Sequence, residues 1–412
     1  MGHVARHIPR RCRRRIHRLD PMAKTAEVVI CGAGMAGVAA AYELAVRRGV
    51  PGVVLIDERE PLTLTSDKGT EAYRNWWPGP GNTMARFMNR SIDLLDSLAA
   101  ESDNAFELNR NGYAFLTADP DTAARMRREA NAITALGGGP ADFLATKEIH
   151  ARYPFVAPDA VAMLHARRCG WLNAAKLGAW LLARAGVELV RGRVTGYADG
   201  AVALASGERI ATGTFVLAPG PHLKRMGALL GIDLPVFCEL HGKMATIDEG
   251  RVVPRDCPMM IWNDPIDDHP PGMHFRPRGE RELLGIWTYD VQATEPTWPL
   301  AFRPEYGGVL LQGLRRMVPA LTVKIGAIDG GYYCKTRENR PLIGPLPADG
   351  VYVIGALSGY GIMGSQAAAD LLGAHITGDD LPDYAEAFLL ERYDDPAYRR
   401  LLEGWDPTAG QL

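Results

Sequence analysis

One stretch near the N-terminus limits what this chain can fold into more than any other. Glu27-Val-Val-Ile-Cys31 is a short apolar run, and Gly32-Ala33-Gly34-Met35-Ala36-Gly37 follows it at once. Val38 to Arg48 is Ala-rich with good helix formers, and Gly49 stops it. Val53-Val54-Leu55-Ile56-Asp57 is a second apolar run ending in an acid. Strand, glycine turn, helix and strand within about thirty residues form a dinucleotide-binding unit. Each part has a physical reason. Gly32 permits the tight turn, Gly34 lets backbone approach a pyrophosphate, and Gly37 lets helix and strand pack closely. The helix N-terminus favours anionic phosphates, and the carboxylate of Asp57 can accept from a ribose hydroxyl. That acid disfavours a 2′-phosphate, so FAD or NAD is expected rather than NADP.

Two later segments favour FAD. Thr214-Phe-Val-Leu-Ala-Pro-Gly220 reads as a strand running into a small-residue turn. Gly350-Val-Tyr-Val-Ile-Gly355 is another strand, followed by Ala356-Leu-Ser-Gly-Tyr-Gly-Ile-Met363 and an Ala-rich helix to about His375. A glycine-rich turn at a helix start offers N–H groups and a positive dipole end to an anion, as reduced flavin is. A simple NAD enzyme has no need of this second site.

The rest of the composition narrows the class. The chain has 412 residues, 47% of them hydrophobic and 23% charged, as in soluble globular proteins. No apolar run approaches the roughly 18 residues of a membrane span. Net charge is −2 although residues 1–20 hold seven Arg against one Asp, so the body is acidic and nucleic acid is not an expected partner. Residues 1–22 carry no apolar segment behind their arginines, and they read as a disordered or non-native extension. The six cysteines, at 12, 31, 169, 238, 257 and 334, include no CxxC spacing. Free thiols and a cytoplasmic location are expected. His269 and His274 lie near Cys257, but no metal-ligand pattern emerges and no metal is expected.

The chain resembles the D-amino-acid oxidase, glycine oxidase and sarcosine oxidase family of FAD enzymes, including its dimethylglycine dehydrogenase branch. The matching stretches are GAGMAG at 32–37, LIDERE at 55–60, TSDKGTEAYR at 65–74 and FVLAPG at 215–220. They continue with FRP at 275–277, TRENRPLIGP at 336–345 and IGALSGYGIM at 354–363. The resemblance implies an α/β fold: a Rossmann-type FAD-binding domain interleaved with an antiparallel-sheet α+β substrate domain. It places 23–95, 151–233 and 330–380 in the former and 96–150 and 234–329 in the latter, with a helical tail over 381–412. Fingerprint and resemblance together assign FAD contacts to Gly32, Ala33, Gly34, Met35, Ala36, Gly37, Asp57 and Glu58. Further contacts are expected at Thr65, Ser66, Val194, Ala218 and Gly220, and at Gly355, Gly359, Tyr360, Gly361, Ile362 and Met363.

The family also sets expectations for the substrate side. Arg74 matches an arginine that grips the substrate carboxylate in sarcosine oxidase, and a guanidinium suits that bidentate task. Trp76 and Trp77 beside it could wall the pocket or pack in the core. Tyr333 stands where D-amino-acid oxidases carry their carboxylate arginine. Gly331 stands where sarcosine oxidase carries its flavin-linked cysteine, and Cys334 is out of register, so non-covalent FAD is expected. Leu283 aligns with the oxygen-activating lysine and Met363 with a second carboxylate-binding lysine. Arg74, Tyr333 and Tyr360 are the candidate catalytic residues.

Other residues carry weaker readings. Asp264, Asp267 and Asp268 could form a lid or a solvated turn. His241 and Lys243 could face the pocket or a sheet surface. Asp93 and Asp96 belong to the wet face of an amphipathic helix. The implied reaction is oxidation of the C–N bond of a small amine or N-alkyl amino acid by hydride transfer to flavin N5. The imine then hydrolyses, and oxygen or an electron carrier takes the electrons. A hydroxy acid or alcohol substrate, or a non-catalytic FAD-holding assembly protein, remains the alternative.

Overall fold

In a computed structural model, which describes residues 24–75, 77 and 81–405, the fingerprint folds as its spacing requires. Val28–Cys31 is a fully buried strand, Met35–Tyr42 begins a helix that continues through Glu43–Arg47, and Val53–Asp57 pairs parallel to the first strand. Buried on both faces, these strands are continuous Val/Ile/Leu runs rather than alternating ones.

Six strands form the first sheet, in the order Leu342–Pro345, Val351–Gly355, Thr214–Leu217, Val28–Cys31, Val53–Asp57, Glu188–Arg191. All pairs are parallel except the edge strand Leu342–Pro345. One face packs on the helices Met35–Tyr42, Thr83–Glu101, Ala174–Ala185 and Gly361–Thr377. The other is covered from Val194, Val202 and Ile210 of a small four-stranded sheet and from Leu223 and Met226.

The second sheet has eight strands, in the order Ala327–Lys335, Phe237–Ile247, Glu282–Ile286, Met273–Arg278, Met259–Trp262, Tyr113–Thr117, Ala162–Ala166, Ala141–Ala145. Its pairs are antiparallel except that between Met259–Trp262 and Tyr113–Thr117. Helix Tyr306–Met317 covers one face through Leu310, Leu314 and Met317. The two-sheet architecture is the expected α/β fold with an interleaved antiparallel domain. Two stretches cross the expected domain boundaries. Ala162–Ala166 and the end of Ala327–Lys335, both placed with the nucleotide-binding domain, pair into the eight-stranded sheet. Their apolar runs mark them as strands, but which sheet they join is set by register with distant segments. The extension 1–22 and Trp76 lie outside the described residues. Among the described residues, no helix is long and apolar enough to cross a membrane.

Candidate active site

A cavity opens between the carboxyl ends of the parallel strands and one face of the eight-stranded sheet. In open α/β sheets this is where ligands bind. Cys31, Ile56, Asp57, Ala218, Ile354 and Gly355 line it from the first sheet, and Tyr113, Met259, His274, Ile286, Tyr333 and Cys334 from the second.

The fingerprint glycines divide into two kinds. A Cβ on Gly32, whose φ is +113°, would strike the Ala218 carbonyl, and one on Gly37 would fall on the Gly32 carbonyl oxygen. Both positions require glycine for folding. Gly34 differs. Its backbone is extended, and an added Cβ would meet only Ser66 Oγ, at 3.4 Å, on the cavity wall. It leaves room for a ligand rather than for neighbouring backbone. Ser66 Oγ accepts from Met35 N–H at 2.9 Å and so holds the loop against the helix start. Asp57 accepts from Ala33 N–H at 2.7 Å and Arg59 N–H at 2.8 Å, which fixes the turn and leaves lone pairs for a hydroxyl. A pyrophosphate and ribose therefore fit these residues.

All but two of the expected cofactor contacts line the cavity. Gly32, Gly34, Met35, Ala36, Asp57, Glu58, Thr65, Ser66 and Val194 do so, as do Ala218, Gly220, Gly355, Gly359, Tyr360, Gly361, Ile362 and Met363. Ala33 and Gly37 do not. Ala33 spends its N–H on Asp57, and Gly37 serves the helix–strand contact. The helix Gly361–Thr377 starts on the cavity wall, with Gly361, Ile362 and Met363 in its first turn. Gly359 is required where the preceding turn passes the Tyr333 ring, which any Cβ there would meet.

Arg74, Tyr333 and Tyr360 come together on the same cavity. Arg74 is only 5% exposed and lies 5.3 Å over the Trp77 ring, and burial lowers its pKa. Tyr360 gives its hydroxyl to Asn339 O at 2.9 Å and meets Trp77 edge-on at 5.1 Å. It therefore positions the turn carrying Asn339. Tyr333 stacks on His241 at 4.1 Å, and burial pushes its phenol up to about 12, so it is neutral.

Two positions on the cavity side of the sheet, His274 and Arg276, are not among the site residues expected from the sequence. The strand Met273–Arg278 alternates, with Met273 and Phe275 in the core and His274 and Arg276 on the cavity side. His274 is buried, and its Nδ1 lies 2.8 Å from Gly272 O. Burial above all, with Arg74 adding to it, depresses its pKa to about 4. Arg276 reaches the loop Thr65 to Arg74 and pairs with Glu71 at 3.2 Å. Lys243 donates to Asp67 O at 2.8 Å in the same loop. His241 joins Glu239 at 3.1 Å and Thr288 at 3.3 Å. His241 and Lys243 lie on the face of the sheet that carries Tyr333 and meets the loop Thr65 to Arg74, and neither lines the cavity.

Leu283 is the clearest correction. It pairs with Thr246 and Pro277 and is buried with Leu314 and Met273, on the face away from the cavity. Ile286, three residues on, lines the cavity instead. The candidate lid is a turn: Asp264 accepts from Ala118 N–H at 2.6 Å, Asp267 from Gln312, and no acid of the three lines the cavity. Asp93 and Asp96 are exposed partners of Arg168 and Arg110. Gly331 lies under Thr65 and Lys68. Cys334 is buried opposite Cys238 with its thiol pKa raised. Cys31, Cys169, Cys238, Cys257 and Cys334 are free thiols. Among the described residues, no group of His, Cys, Asp and Glu is arranged to hold a metal.

Comparison with known proteins agrees with this geometry. The family described as "DAO: FAD dependent oxidoreductase" matches residues 27–375. Among solved structures, L-proline dehydrogenase from P. horikoshii superposes with a TM-score of 0.79 at 22% identity, covering 90% of this chain and 99% of that one. Glycine oxidase from Geobacillus kaustophilus gives 0.78 at 20%, covering 90% and 99%. Iminodiacetate oxidase from Chelativorans sp. BNC1 gives 0.74 at 20%, covering 88% and 98%. At such identities the likeness establishes the fold.

Proposed function

The chain belongs to the DAO family of FAD-dependent oxidoreductases, and from that premise we propose that it oxidises the C–N bond of a small amine or N-alkyl amino acid. One observation carries the reading. A buried guanidinium, Arg74, shares a cavity with a neutral imidazole and the largely apolar groups Tyr113, Met259, Ile286 and Tyr333. Such a wall suits a carboxylate bound at one end and an uncharged amine beside it.

The cofactor's diphosphate would lie against Gly34 and Ala36 at the first helix start, and its ribose against Asp57 or Glu58. Tyr333 and the turn from Gly359 to Met363, which pack on one another, would hold its ring from one side. Bound FAD supplies the hydride acceptor. The protein's own share is positioning. Arg74 holds the anion, the sheet face excludes water, and Lys243 and Arg276 fix the loop that carries Arg74. The helix start at Gly361 favours negative charge nearby. The imine formed hydrolyses in water, and oxygen or an electron carrier takes the electrons. Cytoplasmic location and non-covalent FAD belong to the same reading, supported by the free thiols and by the crowding at Gly331.

The test is an anaerobic screen of the purified holoenzyme. Amines, amino acids and N-alkyl amino acids are added beside 2-hydroxy acids of matched carbon skeleton, and absorbance near 450 nm is followed. Bleaching by an amine is the expected result. Bleaching by hydroxy acids alone would overturn it, and so would a flavin that none of them reduces.

A further inference from the structure

His274 is the only imidazole whose ring lines the substrate wall of the cavity among the described residues on the eight-stranded sheet. It is 4% exposed. Its Nδ1 lies 2.8 Å from Gly272 O, and a carbonyl can only accept, so Nδ1 carries the proton. The anchor is itself fixed, because Gly272 N–H donates to Trp262 O at 2.8 Å. Nε2 is left with a lone pair on the cavity side. His274 pairs across the sheet with Ile286, and Met259 and Tyr113 lie on neighbouring strands of the same wall. Arg74 lies close enough to oppose a second positive charge there. The imidazole therefore stays neutral and acts as an acceptor in a nearly dry place, where an acceptor discriminates strongly between ligands that donate and ligands that do not.

We propose that the Nε2 lone pair of His274 accepts an N–H of the substrate amine while Arg74 takes the carboxylate, so the site selects primary and secondary amino acids over N,N-dialkyl ones. This rests on the C–N reading above. The chemistry of the amine makes the selection. To release a hydride from the neighbouring carbon, the nitrogen must be neutral with its own lone pair available. A neutral primary or secondary amine then still has an N–H for His274. A neutral tertiary amine has none, and it would leave the imidazole nitrogen buried without a donor. Its protonated form has an N–H, but it lacks the lone pair and brings a second cation beside a charged wall. No bond is made or broken by His274; it is a positioning residue that fixes which way the amine faces.

The experiment uses the holoenzyme without oxygen and amino acids that lack a hydrogen on the α-carbon, read in the first milliseconds after mixing, before an N-methyl group can be oxidised. The probes are 2-aminoisobutyrate and its N-methyl and N,N-dimethyl derivatives, and binding is read from the shift of the flavin spectrum. In the wild type the first two should bind roughly ten-fold or more tighter than the third, as for loss of one buried hydrogen bond. His274→Leu should bring all three within about two-fold of one another. His274→Gln, whose amide oxygen can accept, should keep the order. Equal binding of the three by the wild type would overturn the proposal, and this result needs no variant to fold. An undiminished order in His274→Leu would also overturn it. The amine screen separates the two readings. If amines bleach the flavin and the series is flat, only the role of His274 fails. If only hydroxy acids bleach it, the C–N reading fails and takes this one with it.

Discussion

Replacing Gly34 and Gly37 separately should split cofactor binding from folding. The Gly34 backbone, at φ −73° and ψ 179°, suits any residue, and a Cβ there meets only Ser66 Oγ at ordinary contact distance. Gly34→Val should fold without strain and place its methyls where the diphosphate must lie. At Gly37 a Cβ falls on the Gly32 carbonyl oxygen, and neither backbone can yield without moving the first strand or the helix. Overpacking of this kind costs about 1–3 kcal/mol. The assay is thermal unfolding of flavin-free protein with and without added FAD, together with the absorbance of the protein as purified. FAD at about 100 times its Kd adds roughly 2.7 kcal/mol to a protein that binds it. Wild type should gain several degrees on FAD addition. Gly34→Val should match the wild type without FAD, be colourless and gain nothing. Gly37→Ala should melt lower before any FAD is added. A yellow, fully loaded Gly34→Val protein, or a Gly37→Ala protein as stable as wild type, would refute this division.

Three further outcomes follow from the same structure. Arg74→Ala should retain FAD but lose about 30- to several-thousand-fold in affinity for a carboxylate substrate, from the roughly 2–5 kcal/mol of a truncated buried charge pair. Lys at that position should restore little, and unchanged flavin reduction would remove Arg74 from the site. His274 has a folded pKa near 4 against 6.5 unperturbed, so the unfolded chain binds the extra proton between those values. Its contribution is fully present above about pH 6.5 and is lost as pH falls towards 4, by up to about 3 kcal/mol. The stability of His274→Gln should therefore fall less over that window in urea titrations, and an identical fall would contradict the burial argument. Acid precipitation should release the flavin into the supernatant; yellow colour in the denatured pellet would point to Cys334, which lines the cavity from the eight-stranded sheet.

What could be read from the sequence was what is local. The fingerprint glycines, the acid at 57, the loop from Thr65 to Arg74 and the turn from Gly359 to Met363 each carry their geometry within a few residues. All reach one cavity because parallel strands present their carboxyl ends on the same edge. The substrate wall is different in kind. Tyr113, Met259, His274, Ile286 and Tyr333 come from five strands scattered over two hundred residues, and only cross-strand register puts them side by side. Register is also where the reading failed. Leu283 and Ile286 are three apart on one strand, and because side chains alternate, an odd shift of alignment exchanges the cavity face for the core. Hydrophobicity gave no warning, since both faces of that strand are buried. The usable signal lay one strand away. In Met273-His274-Phe275-Arg276, polar groups alternate with core residues in a strand buried along nearly its whole length. A polar side chain kept at a buried position must be satisfied by something. Arg276 finds Glu71, and Nδ1 of His274 finds Gly272 O. Nε2 of His274 is left facing the cavity, and that makes it the place on this wall where a substrate's N–H can be distinguished from a methyl group.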